Sequence, residues 1–376
     1  MKKLLVLFGM TLLLCGCGTK SASDIVSEFK KDVNSSKSYK LAGTMEIMND
    51  EESFVYNLET YYMKDDYYKV VLVNQTNNHE QIILKNEDEV YVITPELNKS
   101  FKFQSEWPDN SSQAYLLHSI LKDLTNDKKI ELVDSDNKNI VKSKVNYPNN
   151  DELVYQKVYF DNDGDIEKVE VYDKNDIVKI KVLFESVDLR ANLSKNDFDI
   201  EEYIDEEEQE DSKSEENSDE QTTPKTEEQT QTENNTTNQG TATEQNEEES
   251  NQNNTQTSSF NLDSVIYPLY IPGETYLTNS ETIKTEDGNR VILTFTGEKN
   301  FVIIEEVAIS EPTMKIVPVY GEPLMLSSAI GALTGNSLTW DSNNISYYLA
   351  STDLSTKEML TIANSLGNTT LVSKEK

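Results

Sequence analysis

"YYKVVLVNQTNNHEQIILKNEDEVYVITPELNKSFKFQSEW", residues 67–107, reads as four strands in succession. "YYKVVLVN" and "EQIILKN" alternate inward and outward side chains. "EVYVITP" and "SFKFQSEW" continue the series, the latter with Phe101, Phe103 and Trp107 on one side. Branched and aromatic residues at period two suit a pleated sheet with one buried face. Upstream, Tyr39, Leu41, Gly43, Met45 and Ile47 alternate with Lys40, Ala42, Thr44 and Glu46, and Phe54, Tyr56 and Leu58 share a face. Downstream come "NIVKSKVNY", "LVYQKVYF", "IEKVEVY" and "IVKIKVLF". So many neighbouring alternations predict one antiparallel sheet.

Two helical patterns interrupt the strands. Ile25, Val26, Phe29 and Val33 recur at helical spacing before the first strand. In "WPDNSSQAYLLHSILKDL", Pro108 is a breaker and Asp109, Asn110 and Ser111 are candidate N-caps. Ala114, Leu117 and Leu121 form the apolar stripe, widened by Leu116, Ile120 and Leu124. The fold class is therefore mainly β, a curved sheet covered by helices.

The chain begins with Lys2 and Lys3, then a nearly unbroken apolar run from Leu4 to Leu14, the pattern of a secretory signal. It ends in Leu14-Cys15-Gly16-Cys17, which holds both cysteines of the 376-residue chain. Two thiols one residue apart, with His79 and His118 distant in sequence, make a poor metal site, and no cofactor is called for. Net charge is −34, which argues against nucleic acid as a partner. Much of that charge lies in residues 205–259, where 17 acidic residues face only Lys213 and Lys225. Without apolar periodicity this stretch reads as a disordered, self-repelling linker. Lysine greatly outnumbers Arg190 and Arg290, and Asn and Ile are abundant, the habit of an AT-rich, Gram-positive genome.

Beyond the linker, residues 260–376 open with "YPLYIPGETYL" and continue with strand patterns in "NRVILTFTG", "NFVIIEEVAI", "MKIVPVYG" and "ISYYLAST". Ser355 and Glu358 form a capping box for a last helix, with Gly367 after it. This is a smaller α+β unit, in which Trp340 is read as core rather than binding surface.

Residues 67–124 resemble the LolA/RseB-like lipoproteins of spore-forming Firmicutes, a group that includes the spore germination lipoprotein GerS. "FESVDLRANLSKNDFDI", containing Phe198, resembles the closing segment of such domains. "GALTGNSLTWDSNNISYYLASTDLSTKEMLTIANSL" resembles the small α+β domain of anti-sigma-like and RseB-like proteins. Leu14 to Cys17 resembles a bacterial lipobox. That resemblance implies cleavage between Gly16 and Cys17 and acylation of Cys17 by palmitate-type chains, and two or more chains anchor stably. The expected organisation is a signal peptide (1–16), lipidated tether (17–21), LolA/RseB-like domain (22–204), linker (205–259) and α+β domain (260–376).

The LolA/RseB resemblance implies an incomplete β-barrel whose mouth is crossed by helices and whose interior takes an apolar ligand. Phe101, Phe103, Trp107, Leu116, Leu117, Ile120 and Leu121 would line it. The histidines lack a triad context. "FDNDGDIEK" fits a hairpin turn at Asp163-Gly164 better than a calcium loop, since no bidentate glutamate follows at EF-hand spacing. Neither a catalytic nor a metal-binding constellation emerges. The reading is a non-enzymatic, lipid-anchored protein of the extracytoplasmic membrane face that binds an apolar ligand, lipid or lipoprotein, or an envelope or sporulation partner. Its rival is a scaffold or regulatory partner of a cell-wall enzyme or sigma-factor system, with no ligand cavity.

Overall fold

A computed structural model describes residues 20–49, 52–87, 89–133, 139–204, 262 and 265–366. The signal and Cys17, the linker and Gly367 lie outside the described residues. Helix α1 (Ala22–Ser35) starts at a reciprocal cap. Asp24 N donates to Ser21 Oγ at 3.2 Å, and Ser21 N donates to the Asp24 carboxylate at 3.0 Å. Strands β1 (Ser38–Asn49), β2 (Glu52–Met63), β3 (Tyr67–Asn74), β4 (Glu80–Asn86), β5 (Glu89–Thr94) and β6 (Lys99–Phe103) follow. After α2 (Leu117–Asn126) come β7 (Glu131–Val133), β8 (Asn139–Lys144), β9 (Leu153–Phe160), β10 (Ile166–Asp173) and β11 (Val178–Asp188).

These strands form one antiparallel, curved sheet in the order β6-β5-β4-β3-β2-β1-β11-β10-β9-β8-β7, which does not close into a barrel. Tyr39, Leu41, Met45 and Ile47 point to the face covered by α1 and α2, as the alternation predicts. Phe29 of α1 meets Phe160 of β9 edge-on at 5.3 Å. Gly43 sits where the β1–β11 register shifts. A Cβ there would stand 1.9 Å from Leu183 O, so only glycine permits the approach.

Two features depart from expectation. The β3–β5 part of the sheet, toward its β6 end, is buried on both faces, because residues 193–204 fold back across its outer side. Phe198, Leu193, Ile200 and Tyr203 pack there on Tyr67, Ile82, Leu84, Tyr91 and Ile93. Helix α2 begins at Leu117, later than the expected caps at 109–111. Residues 107–116 are turns instead, and their polar groups bond elsewhere: Ser112 Oγ accepts from Asn146 N at 2.7 Å, and Gln113 N donates to Ser119 Oγ at 2.8 Å.

The second half contains β12 (Thr275–Thr285), β13 (Gly288–Gly297), β14 (Phe301–Val307), β15 (Lys315–Val319), β16 (Glu322–Met325), β17 (Ile330–Leu333), β18 (Ser337–Ser342), β19 (Ile345–Ala350) and α3 (Thr356–Leu366). Seven of these strands make an antiparallel sheet, β12-β13-β14-β19-β18-β17-β16. Its core holds Trp340, stacked on Tyr347 at 4.9 Å, together with Met359 and Ile362 of α3. Glu358 caps α3 by accepting from Ser355 N at 2.8 Å.

"MKIVPVYG" is a strand, but it belongs to the other sheet. β15 lies parallel to β6 and extends the first sheet to twelve strands. Lys315 N donates to Asn98 O at 2.7 Å, and Glu311 N to Leu97 O at 3.0 Å. Ile330 and Ala332 join the core of the first sheet. Gln81 Oε1 accepts from Ile330 N at 2.6 Å, and Tyr56 OH donates to Ser327 O at 2.7 Å. The two halves share a core and a sheet.

Candidate functional site

Where the halves meet, they enclose a cavity of about 700 Å³, within the range of small-molecule sites. One wall comes from the ends of β1 and β11, with Ile47, Met48 and Ile180. The opposite wall comes from residues 322–327 and from α3, with Met325, Leu360 and Thr361. Strand residues Ile83, Leu153 and Ile330 add to the lining, and loops with a common pattern contribute to it as well. Trp107-Pro108-Asp109-Asn110 and Tyr147-Pro148-Asn149-Asn150 are both aromatic-Pro-x-Asn turns, and Trp107, Asn110, Tyr147, Asn149 and Asn150 all line the space. The two turns are tied together: Ser112 N donates to Asn146 O at 2.7 Å, and Asn146 Nδ2 to Asn110 O at 3.4 Å. Tyr267-Pro268-Leu269-Tyr270 reaches the same cavity from the second half.

The wall mixes aromatic rings with neutral amides. Tyr115 OH donates to Gln113 Oε1 at 2.6 Å, which orients that amide in the wall. Asn110 Oδ1 is buried and has no partner among the described residues, an uncommon state for a polar atom shielded from water. Charges of both signs are present: Glu52, Glu152, Glu322, Lys179 and Lys357. Lys357 Nζ lies 3.0 Å from Asp151 and 3.4 Å from Glu152.

The residues expected to line an apolar interior are placed differently. Phe101, Phe103, Leu116, Leu117, Ile120 and Leu121 are packed into the core between sheet and helices, none more than 7 % exposed. Of the seven, only Trp107 borders the cavity. The helix-bearing face is filled by side chains, and the open space lies at its margin, against the second half. Sequence reasoning missed the amides. The available signal was the repeated aromatic-Pro-x-Asn pattern.

The titratable groups singled out earlier have structural surroundings. His79 contacts Glu96. His118 stacks against Tyr62 at 4.2 Å, and burial pushes its pKa down against the pull of Asp109. Asp161 accepts from the backbone N–H groups of Asp163, Gly164 and Asp165 at 2.8–2.9 Å, which closes the expected hairpin turn with Gly164 at φ 96°. Two carboxyls are shifted by burial: Asp123 is pushed up to about 6 and Glu305 up to about 7. Glu305 accepts from Ile266 N at 3.1 Å, while its other oxygen has no partner among the described residues. No group of three or more metal-ligating side chains occurs among the described residues.

Residues 1–198 match the family model described as sporulation protein YdcC-like. Sporulation protein YdcC of Bacillus subtilis (strain 168) is 34% identical over 358 residues, spanning 94% of this chain and 93% of the relative. The chain belongs to the YdcC-like sporulation protein family. Among solved structures, similarity extends to a chain in the complex of the CwlD amidase from Clostridioides difficile with the GerS lipoprotein. There identity is 16%, coverage 45% of this chain and 96% of that one, and the TM-score 0.28. The LolA superfamily protein of Nitrosomonas europaea is 10% identical, with coverage of 49% and 100% and a TM-score of 0.29. No helix among the described residues is long and apolar enough to cross a membrane.

Proposed function

We propose that this family member is a non-catalytic, lipid-anchored binding protein of the extracytoplasmic membrane face, acting in sporulation, with the junction cavity as its binding site. One observation carries the choice of site. Two aromatic–proline turns of the first half and the Leu269–Tyr270 segment of the second converge on a cavity of about 700 Å³, whereas the helix-bearing face holds packed core side chains. Anchoring rests on the sequence from Lys2 to Cys17. The division at the acidic linker is retained, with the amendment that the two folded halves work as one body, joined by β15. A second reading, a scaffold that holds a protein partner, draws on exposed apolar residues at and next to the cavity wall: Tyr267, Leu269 and Ile271.

The test is to fill the cavity from α3 with Thr361→Trp and to assay heat-resistant spores in a host carrying this variant as its sole copy. Loss of spore yield with an unchanged melting temperature is expected. Wild-type spore yield from a stable, filled variant would sink the choice of site. If the variant instead melts early, Asn149→Trp fills the same space from a loop.

A further inference from the structure

We infer that the ligand of the junction cavity is a neutral oligosaccharide, an inference that rests on the reading of this cavity as the binding site. The wall chemistry narrows the choice. An acyl chain would cover the amides of Gln113, Asn149 and Asn150 and offer their N–H groups no acceptor, so that they lose hydration without a replacement. An anionic ligand would meet three carboxylates against two lysines, Lys179 and Lys357, the latter already held by Asp151 and Glu152. What remains is a neutral ligand that both donates and accepts.

A sugar ring has that chemistry. Its hydroxyls do both, and an amide side chain answers with one carbonyl and two N–H groups. Its C–H faces are apolar enough to lie on the accessible rings of Tyr147 and Tyr270, which are rigid and have little entropy to lose. The two aromatic-Pro-x-Asn turns repeat one ring and one amide in tandem and are hydrogen-bonded to each other. That repetition fits successive units of a chain better than a single sugar.

The experiment titrates the purified full chain with chitotriose and with maltotriose, read by calorimetry and tryptophan emission. Trp107 borders the cavity, and the other tryptophan, Trp340, is fully buried in the second core, so a change in emission reports the cavity. Binding of at least one trisaccharide is expected, with Asn149→Leu weakening it roughly tenfold at an unchanged melting temperature and Asn149→Gln restoring part of it. Dodecanoate and a neutral hexapeptide are run alongside. If either binds with a Trp107 response while both trisaccharides fail, the saccharide assignment falls and the cavity stands as a site. Saccharide binding that ignores Asn149→Leu also overturns the assignment. If nothing binds and Thr361→Trp forms normal spores, the site and its ligand fall together.

Discussion

Lys99 on β6 and Asp341 on β18 form the ion pair that joins the two halves most deeply. Their side chains are 19 % and 2 % exposed, and Lys99 Nζ lies 2.9 and 3.1 Å from the two carboxylate oxygens. Removing the ammonium leaves Asp341 buried with the Ser346 hydroxyl as its remaining side-chain donor among the described residues. Breaking a fully buried pair in this way costs about 3–5 kcal/mol. Lys99 keeps some water and Ser346 stays in place, so Lys99→Met should cost about 2–3 kcal/mol. The assay is fragment association. Limited proteolysis within 205–259 nicks the chain, and sedimentation then measures whether the fragments stay together. Wild-type fragments should remain associated, because the β15–β6 ladder and the Gln81–Ile330 and Tyr56–Ser327 bonds survive the cut. Lys99→Met should weaken association by roughly 30- to 140-fold at 1.4 kcal/mol per tenfold. The double variant with Asp341→Leu should recover most of the loss, since it removes the stranded charge. The reasoning is refuted if wild-type fragments separate at micromolar concentration, or if Lys99→Met leaves association within about twofold of wild type.

Gly43→Ala places a methyl group against Leu183 O, and forcing β1 and β11 apart should cost at least about 1–3 kcal/mol, read as a lowered melting temperature or as insoluble protein. Glu305 has a native pKa raised to about 7, so its neutral form is favoured on folding. The associated stability is present below about pH 4.5 and lost as pH rises through about 7, a change of about 3 kcal/mol. Chemical denaturation of Glu305→Gln from pH 4 to 8 should flatten that part of the profile, and an unchanged slope would contradict the assignment. Asp123→Asn removes the separate contribution that fades by about pH 6. Cys17→Ser should abolish labelling by a clickable fatty acid while Cys15→Ser leaves it intact; persistent labelling of the Cys17 variant would place the anchor elsewhere.

Period-two alternation located the strands of residues 38–184 because each face of a strand meets a different environment. It also led to one error of detail. "IIL" in β4 and "VYVI" in β5 are continuous rather than alternating, which is how a strand buried on both faces reads. Phe198 and its neighbours cover that second face from more than a hundred residues away, a distance no local pattern encodes. β15 shows the same limit. Its strand character was legible, and Pro318 suits the edge position that it takes. Its partner β6 lies over two hundred residues upstream in sequence, so no neighbouring residue identifies the sheet it joins.

The site was illegible for a related reason that bears on how the fold makes room for a ligand. Trp107, Leu117 and Ile120 all belong to a well-filled core, and a core at that density leaves no wide void. Backbone and amide groups in turns cannot be sealed into it without partners, so turns stay at the margin where water reaches them. A cavity of this size therefore forms where several margins meet, here at the turns after β6 and β8 and at residues 267–270. Each turn reads locally as a loop. Their convergence depends on the Ser112–Asn146 bonds and on β15 clasping the second half to the first. If that clasp holds the cavity together, releasing it opens the site, and Lys99→Met should weaken saccharide binding along with fragment association.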